Sequence, residues 1–351
     1  MLSVHFLNVG HGDCTIIEHP SGRLTMIDIN NSQEYDRQSF TDFLDERRKR
    51  KLNEGLAGLG VSITPHAGGA FGLGSLFIPP ASLASSRQPV HNAFLDILEA
   101  QSEAAAELTD PVAFMQRKYP GRRLWRFVLT HPDLDHMRGL KRLYETVGFD
   151  NFWDTSNTKP KPDFRSNADR EDWEFYQRLR AGSLGVPVRN YVRGNSLFAF
   201  GCNENGLPGG DNIEILSPFP ALVAHCNAAE KSNDLSYILR ISHANRSIIL
   251  PGDAETMAWE QARLLYGRAL KSDFFKASHH GRDSAYDADT LDLIAPIMTF
   301  VSVGRKPATD ASRKYREKCD RVVSTRYYGN IELRIYDNGA CEWEPQRNRG
   351  N

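Results

Sequence analysis

Short β-rich runs recur along this chain and limit its possible folds more than any other feature. Three of them, LSVHFLNV, CTIIEH and RLTMIDI, fill the first thirty residues and are separated by GHGD and PSG. From residue 211 onward, further runs alternate with helix-like segments such as ETMAWEQARLLYG. Strand-rich ends with strands and helices alternating between them predict an α/β (α+β) chain built of two sheets flanked by helices.

Length, charge and cysteine content narrow the class of protein. A chain of 351 residues with 40% hydrophobic content can bury a sizeable core. Its formal net charge of -1 provides no general basic field for nucleic acid, so a polyanion would need a local patch or a metal. The widely spaced cysteines form no CxxC pair and predict a reduced, cytoplasmic protein; they are Cys14, Cys202, Cys226, Cys319 and Cys341.

Two stretches in the first third of the chain have unusual composition. Residues 55–86 carry no charge, but glycines and prolines interrupt the run, which favours an inserted loop over a membrane-spanning helix. The N-terminus lacks the pattern of a signal peptide. The basic run RRKRK at 47–51 is typical of a solvated helical face, with a phosphate-binding patch as the alternative.

The densest group of ligand-type side chains follows the apolar run FVLT, in the stretch HPDLDH at residues 131–136. His131 and Asp133 can share one face of an extended segment, while Asp135 and His136 sit where the loop enters a helix. Four ligands this close in sequence suit two ions about 3.5–4 Å apart better than one. The alternative is a set of capping and turn residues at a strand–helix junction.

Two later strand ends also close on ligand-type residues. The run IILPGDAE places Asp253 on a glycine turn directly after an apolar strand, and FFKASHHGRDS places His279 and His280 after another. Three such strand ends are what a site on the edge of a sheet requires. Together they predict metal binding.

In this order, THPDLDHMRGL, LPGDAE and ASHHGRDS resemble the motifs of the metallo-β-lactamase superfamily, and most closely those of the ComEC-type competence hydrolase branch. The start FLNVGHGDCTIIE…MIDIN and the closing STRYYGNIELRI resemble that branch's VGQGD…IDTG start and terminal T…GNI strand pair. The resemblance implies a four-layer αββα sandwich forming a single domain over residues 1–351, with insertions at about 32–120 and 150–210. It also implies that Asp28 supports the metal loop without binding metal.

By motif, the resemblance implies a shell of ligands around two divalent ions, Zn²⁺ or Mn²⁺, with Asp253 as the bridge between them. One histidine of the HH pair would complete the second ion's shell. The implied metal ligands are His131, Asp133, Asp135, His136, Asp253 and His279.

Two departures from the family pattern affect the first ion. Asp133 stands where most members carry a histidine, and the histidine of the third motif has no clear counterpart. The first ion is therefore expected to be weakly held or supplied with substrate. His225 and His243 lie near this strand but at the wrong places, and we interpret them as structural. At the strand start KSNDLSYILRI, the alternatives are Asn233, Asp234 and Ser236.

Hydrolysis is the chemistry that such a centre implies, because metal-bound water loses a proton near neutral pH. Asp135 could orient the resulting hydroxide, and His280 or Arg282 could stabilise developing negative charge. For Arg282 and Ser284 the alternative is an exposed turn. Candidate substrate contacts are Lys306, Ser284 and His11.

The substrate class that the resemblance favours is a phosphodiester, foremost DNA, with RRKRK and RNYVR as candidate backbone contacts. The alternatives are a cyclic or small nucleotide, a carbon ester, thioester or lactam, and a catalytically inert binding or regulatory protein with a structural metal. Family context adds the expectation of a bacterial defence setting with an operon-encoded protein partner.

Overall fold

The computed structural model describes residues 1–31, 48, 108–195, 200–201, 210–304 and 309–347. Most of the predicted insertion at 32–120 lies outside these residues, as do the uncharged stretch 55–86, Lys306 and all of the basic run except Arg48. The single-domain prediction includes these parts of the chain and stays a prediction. Residues 1–34 and 107–351 group into one compact unit.

The first sheet joins the two ends of the chain. Its strands are β1 (Leu2–Phe6), β2 (Thr15–Glu18), β3 (Leu24–Ile27), β5 (Arg126–Val128), β7 (Phe152–Trp153), β8 (Val188–Arg189), β15 (Ile331–Ile335) and β16 (Cys341–Pro345). Their order in the sheet is β16-β15-β1-β2-β3-β5-β7-β8. Strand β1 pairs antiparallel with both β15 and β2, whereas β3, β5, β7 and β8 run parallel. Beside this sheet, β4 (Ile29–Asn30) pairs with β6 (Met137–Arg138).

The second sheet is built from the C-terminal half of the chain. Its strands are β9 (Ile213–Ser217), β10 (Ile238–His243), β11 (Arg246–Leu250), β12 (Phe274–Lys276), β13 (Met298–Val301) and β14 (Arg321–Ser324), in the order β14-β13-β12-β11-β10-β9. Strands β11 to β14 are parallel, and β9 and β10 are antiparallel to their neighbours.

Helices cover the outer faces of both sheets. In the described residues they are α1 (Pro111–Lys118), α2 (Leu140–Thr146), α3 (Asn167–Arg180), α4 (Pro220–Ala228), α5 (Thr256–Tyr266), α6 (Ala288–Ile294), α7 (Ser312–Arg316) and α8 (Thr325–Tyr328). Asp110 caps the start of α1 through the backbone amides of Val112 and Ala113, and Ser166 caps α3 through that of Asp169.

Three apolar clusters define the layers. One lies between the two sheets, where Phe6 of β1 stacks on Phe300 of β13 with ring centroids 4.5 Å apart. A second packs α1, α2 and α3 against the first sheet, and a third packs α4 to α7 against the second. Because each sheet buries one face on its partner and the other under helices, the chain is the four-layer αββα sandwich predicted from the sequence.

The region 150–210, expected to be an insertion into the fold, also completes the first sheet. Strands β7 and β8 extend that sheet beyond β5, and helix α3 covers it. Trp153 of β7 is buried against Tyr191, with ring centroids 4.9 Å apart. This insertion is therefore partly core.

The sequence predicted reduced cysteines and favoured a loop over a membrane-spanning helix at 55–86. None of the helices in the described residues has both the length and the apolar character needed to cross a bilayer. Within the same residues, Cys14, Cys226, Cys319 and Cys341 are free thiols.

Candidate metal centre

Parallel strands deliver the ligand-type side chains to one place. Asp28 and His131 follow β3 and β5, neighbours in the first sheet, and Asp253 and His280 follow β11 and β12, neighbours in the second. The carboxyl ends of parallel strands lie along one edge of a sheet. The two edges meet where the sheets pack together, so residues more than a hundred positions apart become neighbours.

The Oδ2 atom of Asp253 lies among four imidazoles. It is 4.0 Å from Nε2 of His131, 3.4 Å from Nε2 of His136, and 3.6 Å from Nε2 of both His279 and His280. The Nε2 atoms of His131, His136 and His280 are buried and have no hydrogen-bond partner. Buried polar atoms are normally paired, so several unpaired imidazole nitrogens in one cluster fit a site that binds a cation.

Each imidazole is oriented by a contact from its other nitrogen. Nδ1 of His136 lies 2.8 Å from Asp28, Nδ1 of His279 lies 2.8 Å from Glu255, and Nδ1 of His280 lies 3.1 Å from a backbone carbonyl. Nδ1 of His131 lies 3.1 Å from the Thr130 hydroxyl. If Nδ1 is the donor in each pair, all four Nε2 lone pairs are available to a metal.

Asp28 holds the loop that carries the HPDLDH motif. Its Oδ1 accepts from the Thr130 amide, and its Oδ2 accepts from the Thr130 hydroxyl, both at 2.7 Å. The same Oδ2 accepts from His136 Nδ1. These contacts agree with the supporting role that the family resemblance implies for this aspartate.

Two sets of side chains bring their donor atoms within 4.8 Å of one another. The first set is wholly buried, and the second is partly exposed and shares His280 with the first. Neither set contains His131, Asp133 or His279. The first set is Asp13, His136, Asp253 and His280, and the second is His11, Asp135 and His280.

Asp133 has partners that the other predicted ligands lack. Its Oδ1 lies 3.6 Å from His131 Nε2, but it also accepts from the Lys159 ammonium and, at 3.2 Å, from the Ser232 hydroxyl. The sequence therefore predicted the position of this carboxylate near the cluster but not the lysine that neutralises it.

Opposing charges dominate the electrostatics of the cluster. Burial raises the pKa of the Asp253 carboxyl, but the imidazoles of His136 and His280 outweigh burial and hold that pKa well below its usual range. Burial lowers the pKa of His136, but Asp253 and Asp28 raise it well above the usual value. The same opposition raises the pKa of His280. The carboxylates thus favour a cation at this point, and protons compete with a metal for it.

Two close backbone approaches bring the loops together. Gly252 adopts φ +55°, and a Cβ there would lie 2.7 Å from Cβ of Thr130. A Cβ on Gly12 would lie 2.6 Å from the carbonyl oxygen of Asp135. Only glycine fits at either position, so the glycines of GHGD and PGD seat their loops against HPDLDH.

The HH pair has a strained backbone. His279 and His280 adopt φ of 48° and 55°, the left-handed region that costs a non-glycine residue roughly 1–2 kcal/mol. Such strain concentrates at functional sites, where the surrounding structure enforces it. Here it accompanies the approach of both imidazoles to Asp253.

The remaining sequence candidates divide between the site and its surroundings. His11 faces the site, because its ring centroid lies 4.8 Å from that of His280. Arg282 Nη2 lies 3.5 Å from His11 Nε2, and Ser284 donates to Glu255 at 3.0 Å. Lys306 lies outside the described residues.

The alternatives at the third motif have structural roles. Asp234 Oδ1 accepts from the amides of Glu255, at 3.2 Å, and Ala258, at 3.0 Å, at the start of α5. Ser236 Oγ accepts from the Asp253 amide at 3.2 Å. His243 pairs with Asp337 at 2.8 Å, away from the cluster.

The RNYVR segment packs against the protein. Tyr191 contacts Trp153, and the guanidinium of Arg193 lies over the ring of Tyr266 and donates to its hydroxyl at 3.0 Å. Asn190 Nδ2 donates to the Asp154 carbonyl at 2.9 Å, so three of the five side chains in this candidate contact segment are engaged within the fold.

Sequence reasoning missed three residues of the site. Asp13 has a buried Oδ1 without a partner, and its Oδ2 accepts from Lys276 at 2.5 Å. Asp13 and Glu255 stand in GHGD and GDAE, so their position at strand ends was an available signal. Lys159 had none, because it lies in a polar loop 26 positions from Asp133.

Comparisons with known proteins give distant likenesses only. No protein-family model matches the chain, and no curated protein matches it. Igni18, a metallo hydrolase from the archaeon Ignicoccus hospitalis, is 11% identical with a TM-score of 0.44, covering 98% of this chain and 100% of its own.

Two further solved structures are similar at the same level. YhfI, a metallo-β-lactamase fold protein from Bacillus subtilis, is 8% identical with a TM-score of 0.41, over 97% of this chain and 100% of its own. CmlA, a diiron β-hydroxylase from Streptomyces venezuelae, is 12% identical with a TM-score of 0.35, over 85% of this chain and 44% of its own. Likenesses this distant do not assign the chain to a family.

Proposed function

We propose that this chain is a metal-dependent hydrolase that cleaves phosphodiester bonds, with nucleic acid as the substrate class. One observation carries the proposal: four imidazole Nε2 atoms surround Asp253 Oδ2 at 3.4–4.0 Å, and three of them are buried without a partner. A purely structural polar cluster would satisfy its own hydrogen bonds. Imidazole and carboxylate donors together suit Zn²⁺ or Mn²⁺.

The residues that would hold an ion are His136, Asp253 and His280. Two further carboxylates adjoin them: Asp13, in the same buried set, and Asp135, whose Oδ2 lies 3.5 Å from His280 Nε2. When bound, a divalent ion would lower the pKa of a water ligand and polarise a substrate oxygen. Asp28 keeps the His136 ring in place, as outer contacts of metal-binding histidines generally do.

Asp135 is our candidate for the residue that orients the attacking water. Its side chain is 26% exposed, and its Oδ2 lies 3.5 Å from His280 Nε2. Burial raises the pKa of this carboxyl, but a hydrogen bond from His280 and the charge of His136 outweigh burial and lower the pKa. An ionised carboxylate at the rim of the cluster can orient a water and accept its proton.

A cation beside the cluster favours phosphodiesters over neutral esters. Arg282 lies against His11, whose ring adjoins His280. A guanidinium there can contact a phosphoryl oxygen, which is charged before the reaction as well as during it. The choice of nucleic acid over a smaller nucleotide draws on the motif resemblance to the ComEC-type branch.

The test is hydrolysis of a bis-aryl phosphate, single- and double-stranded DNA, RNA and cyclic nucleotides, each with Mn²⁺ or Zn²⁺ and with chelator. We expect metal-dependent diester cleavage. Loss of a residue that only orients a metal ligand costs about 10–100-fold in activity, and Asp253→Ala and Asp135→Ala should each reduce cleavage by more than that. Asp337→Asn, an exposed carboxylate paired with His243, is the control that should retain activity.

Each alternative has its own outcome. Binding of metal with cleavage only of carbon esters, thioesters or lactams would contradict the phosphodiester assignment. Binding of metal without any hydrolysis would identify a binding protein. A purified chain that takes up no divalent ion would contradict the whole proposal.

A further inference from the structure

Asp133 is the side chain that separates this cluster from a two-ion centre. Its Oδ1 accepts from the Lys159 ammonium and from the Ser232 hydroxyl at 3.2 Å, and Lys159 Nζ lies 3.3 Å from that same hydroxyl. The carboxylate that a first ion would use therefore already has a cation and a hydroxyl donor.

Other residues that could complete a first ion's shell are also engaged. Asp234 accepts two backbone amides at the start of α5, and Ser236 accepts the amide of Asp253. His131 then has Asp253 as its nearest shared carboxylate apart from Asp133, at 4.0 Å. His279 Nε2 also lies 3.6 Å from Asp253 Oδ2, but in the described residues neither set of donor atoms that lie within 4.8 Å of one another includes His131 or His279. The donors on this side are therefore too far apart to form a compact four-coordinate shell.

The opposite side of Asp253 is complete. Asp13, His136, Asp253 and His280 place their donor atoms within 4.8 Å of one another, and all four side chains are buried. Asp13 also accepts from Lys276, but only through Oδ2, and its buried Oδ1 has no partner, whereas both contacts of Asp133 are on the oxygen that faces His131. Asp135 adjoins this set through His280 at 3.5 Å. Four or five donors of this kind satisfy one Zn²⁺ or Mn²⁺ ion.

We propose that the site holds one divalent ion, at His136, Asp253 and His280, and that the Lys159 ammonium beside Asp133 takes the place of a second ion. The inference rests on the proposed function for the presence of metal and adds the number of ions and the role of this lysine. An ammonium and a divalent ion bound to the same carboxylate repel each other, so the contact of Lys159 with Asp133 disfavours an ion there.

Lys159 would also keep one function of the ion it replaces. Its side chain is 21% exposed, so the ammonium can reach a substrate while it contacts Asp133. A flexible ammonium is a point charge with three donors and suits a phosphoryl oxygen. Lys159 is thus a candidate contact for the anionic group of the substrate on the side opposite the ion.

The test counts ions. Chelator-stripped protein is titrated with Zn²⁺ and with Mn²⁺ by calorimetry, and metal content after gel filtration is measured by mass spectrometry. We expect one ion per chain in the wild type and in His131→Asn, and strongly reduced binding in His136→Asn. Asp234→Asn should still bind one ion, because its carboxylate caps a helix.

A second variant tests the lysine directly. Lys159→Met frees Asp133, so ion content should rise above one per chain at millimolar Mn²⁺, with the electron paramagnetic resonance signal of coupled ions. Lys231→Met, at an exposed lysine next to Ser232, should stay at one. Thermal unfolding identifies any variant that fails to fold.

The outcomes separate this inference from the proposed function. Two ions in the wild type, falling to one in His131→Asn, would overturn the single-ion inference and leave the hydrolase proposal in place. One ion in both the wild type and Lys159→Met would overturn the role of Lys159. A wild-type chain that binds no ion would contradict the proposed function itself.

Discussion

Asp28, which is not predicted to bind metal or substrate, fixes the orientation of the His136 ring. Asp28 is buried, adopts φ 57°, and gathers three donors from Thr130 and His136. By accepting from His136 Nδ1, it leaves Nε2 directed at Asp253. The orientation of the His136 ring therefore depends on a residue more than a hundred positions earlier in the chain.

Asp28→Asn should weaken metal binding without removing a ligand. The amide oxygen can still accept from the Thr130 backbone, but the amide nitrogen would meet the Nδ1 donor of His136. We expect metal affinity to fall about 10–100-fold, measured by competition with a chelator. Asp337→Asn breaks an exposed aspartate–histidine pair and is the matched control. Unchanged affinity in Asp28→Asn would rule out the supporting role.

The loop between β11 and α5 links the candidate metal centre to a helix. It carries Asp253 and Glu255. At the start of the helix that follows, the backbone amides of Glu255 and Ala258 donate to the side chain of Asp234. Glu255 in turn accepts from His279. Asp234, one of the alternatives at the strand start KSNDLSYILRI, thus acts as a helix cap.

Gly252→Ala should displace this loop. An alanine there would bear both the left-handed φ and the 2.7 Å approach to Thr130, whereas Gly182→Ala, with φ +72° and no atom within 4 Å, would bear the φ alone. The control should lose roughly 1–2 kcal/mol of unfolding free energy. In urea unfolding, Gly252→Ala should lose clearly more and also bind metal less tightly. Equal losses in the two variants would show that the close approach is unimportant.

Behind the site, a buried polar group joins the first sheet to α3 and the second sheet. Asp154 follows β7 and contacts the Tyr176 hydroxyl at 3.1 Å and Arg180 at 3.4 Å. Its backbone carbonyl accepts from the Tyr237 hydroxyl at 2.9 Å. Burial raises the pKa of Asp154 to about 7, although Arg180 and Tyr176 oppose the shift.

The stability of the fold should therefore depend on pH through Asp154. The folded chain holds this proton more tightly than the unfolded chain, whose carboxyl has a pKa near 3.8. The stabilisation is full below that value and is lost, at about 1.4 kcal/mol per pH unit at most, as pH rises to 7.

Asp154→Asn should remove this dependence. Between pH 4 and 7, in chelator, the unfolding free energy of the wild type should fall relative to that of the variant, as measured by urea unfolding at each pH. Parallel stability curves over this range would show that Asp154 is ionised in the folded chain.

Much of the candidate site could be predicted from the residues that follow apolar strands in the sequence. HPDLDH, PGD and HHG each follow an apolar run, and the structure brings all three to one cluster, with Asp28 beneath it. This was predictable because a strand exposes ligand-type residues at its end, and parallel strands end on the same edge. Lys159 was not predictable in this way, since its contact with Asp133 depends on the path of an irregular loop.

The pattern of apolar and polar residues was enough to determine the layers of the fold, because burial on one or both faces of a strand leaves a local trace. It was also enough to locate the ligand types. The choice of neighbours belongs to the packing of the two sheets. Because of that packing, Asp13 lies with His136, Asp253 and His280, Asp133 pairs with Lys159, and Asp234 caps α5. Distances between side chains from different strands depend on how whole elements pack, and no local stretch of sequence encodes them.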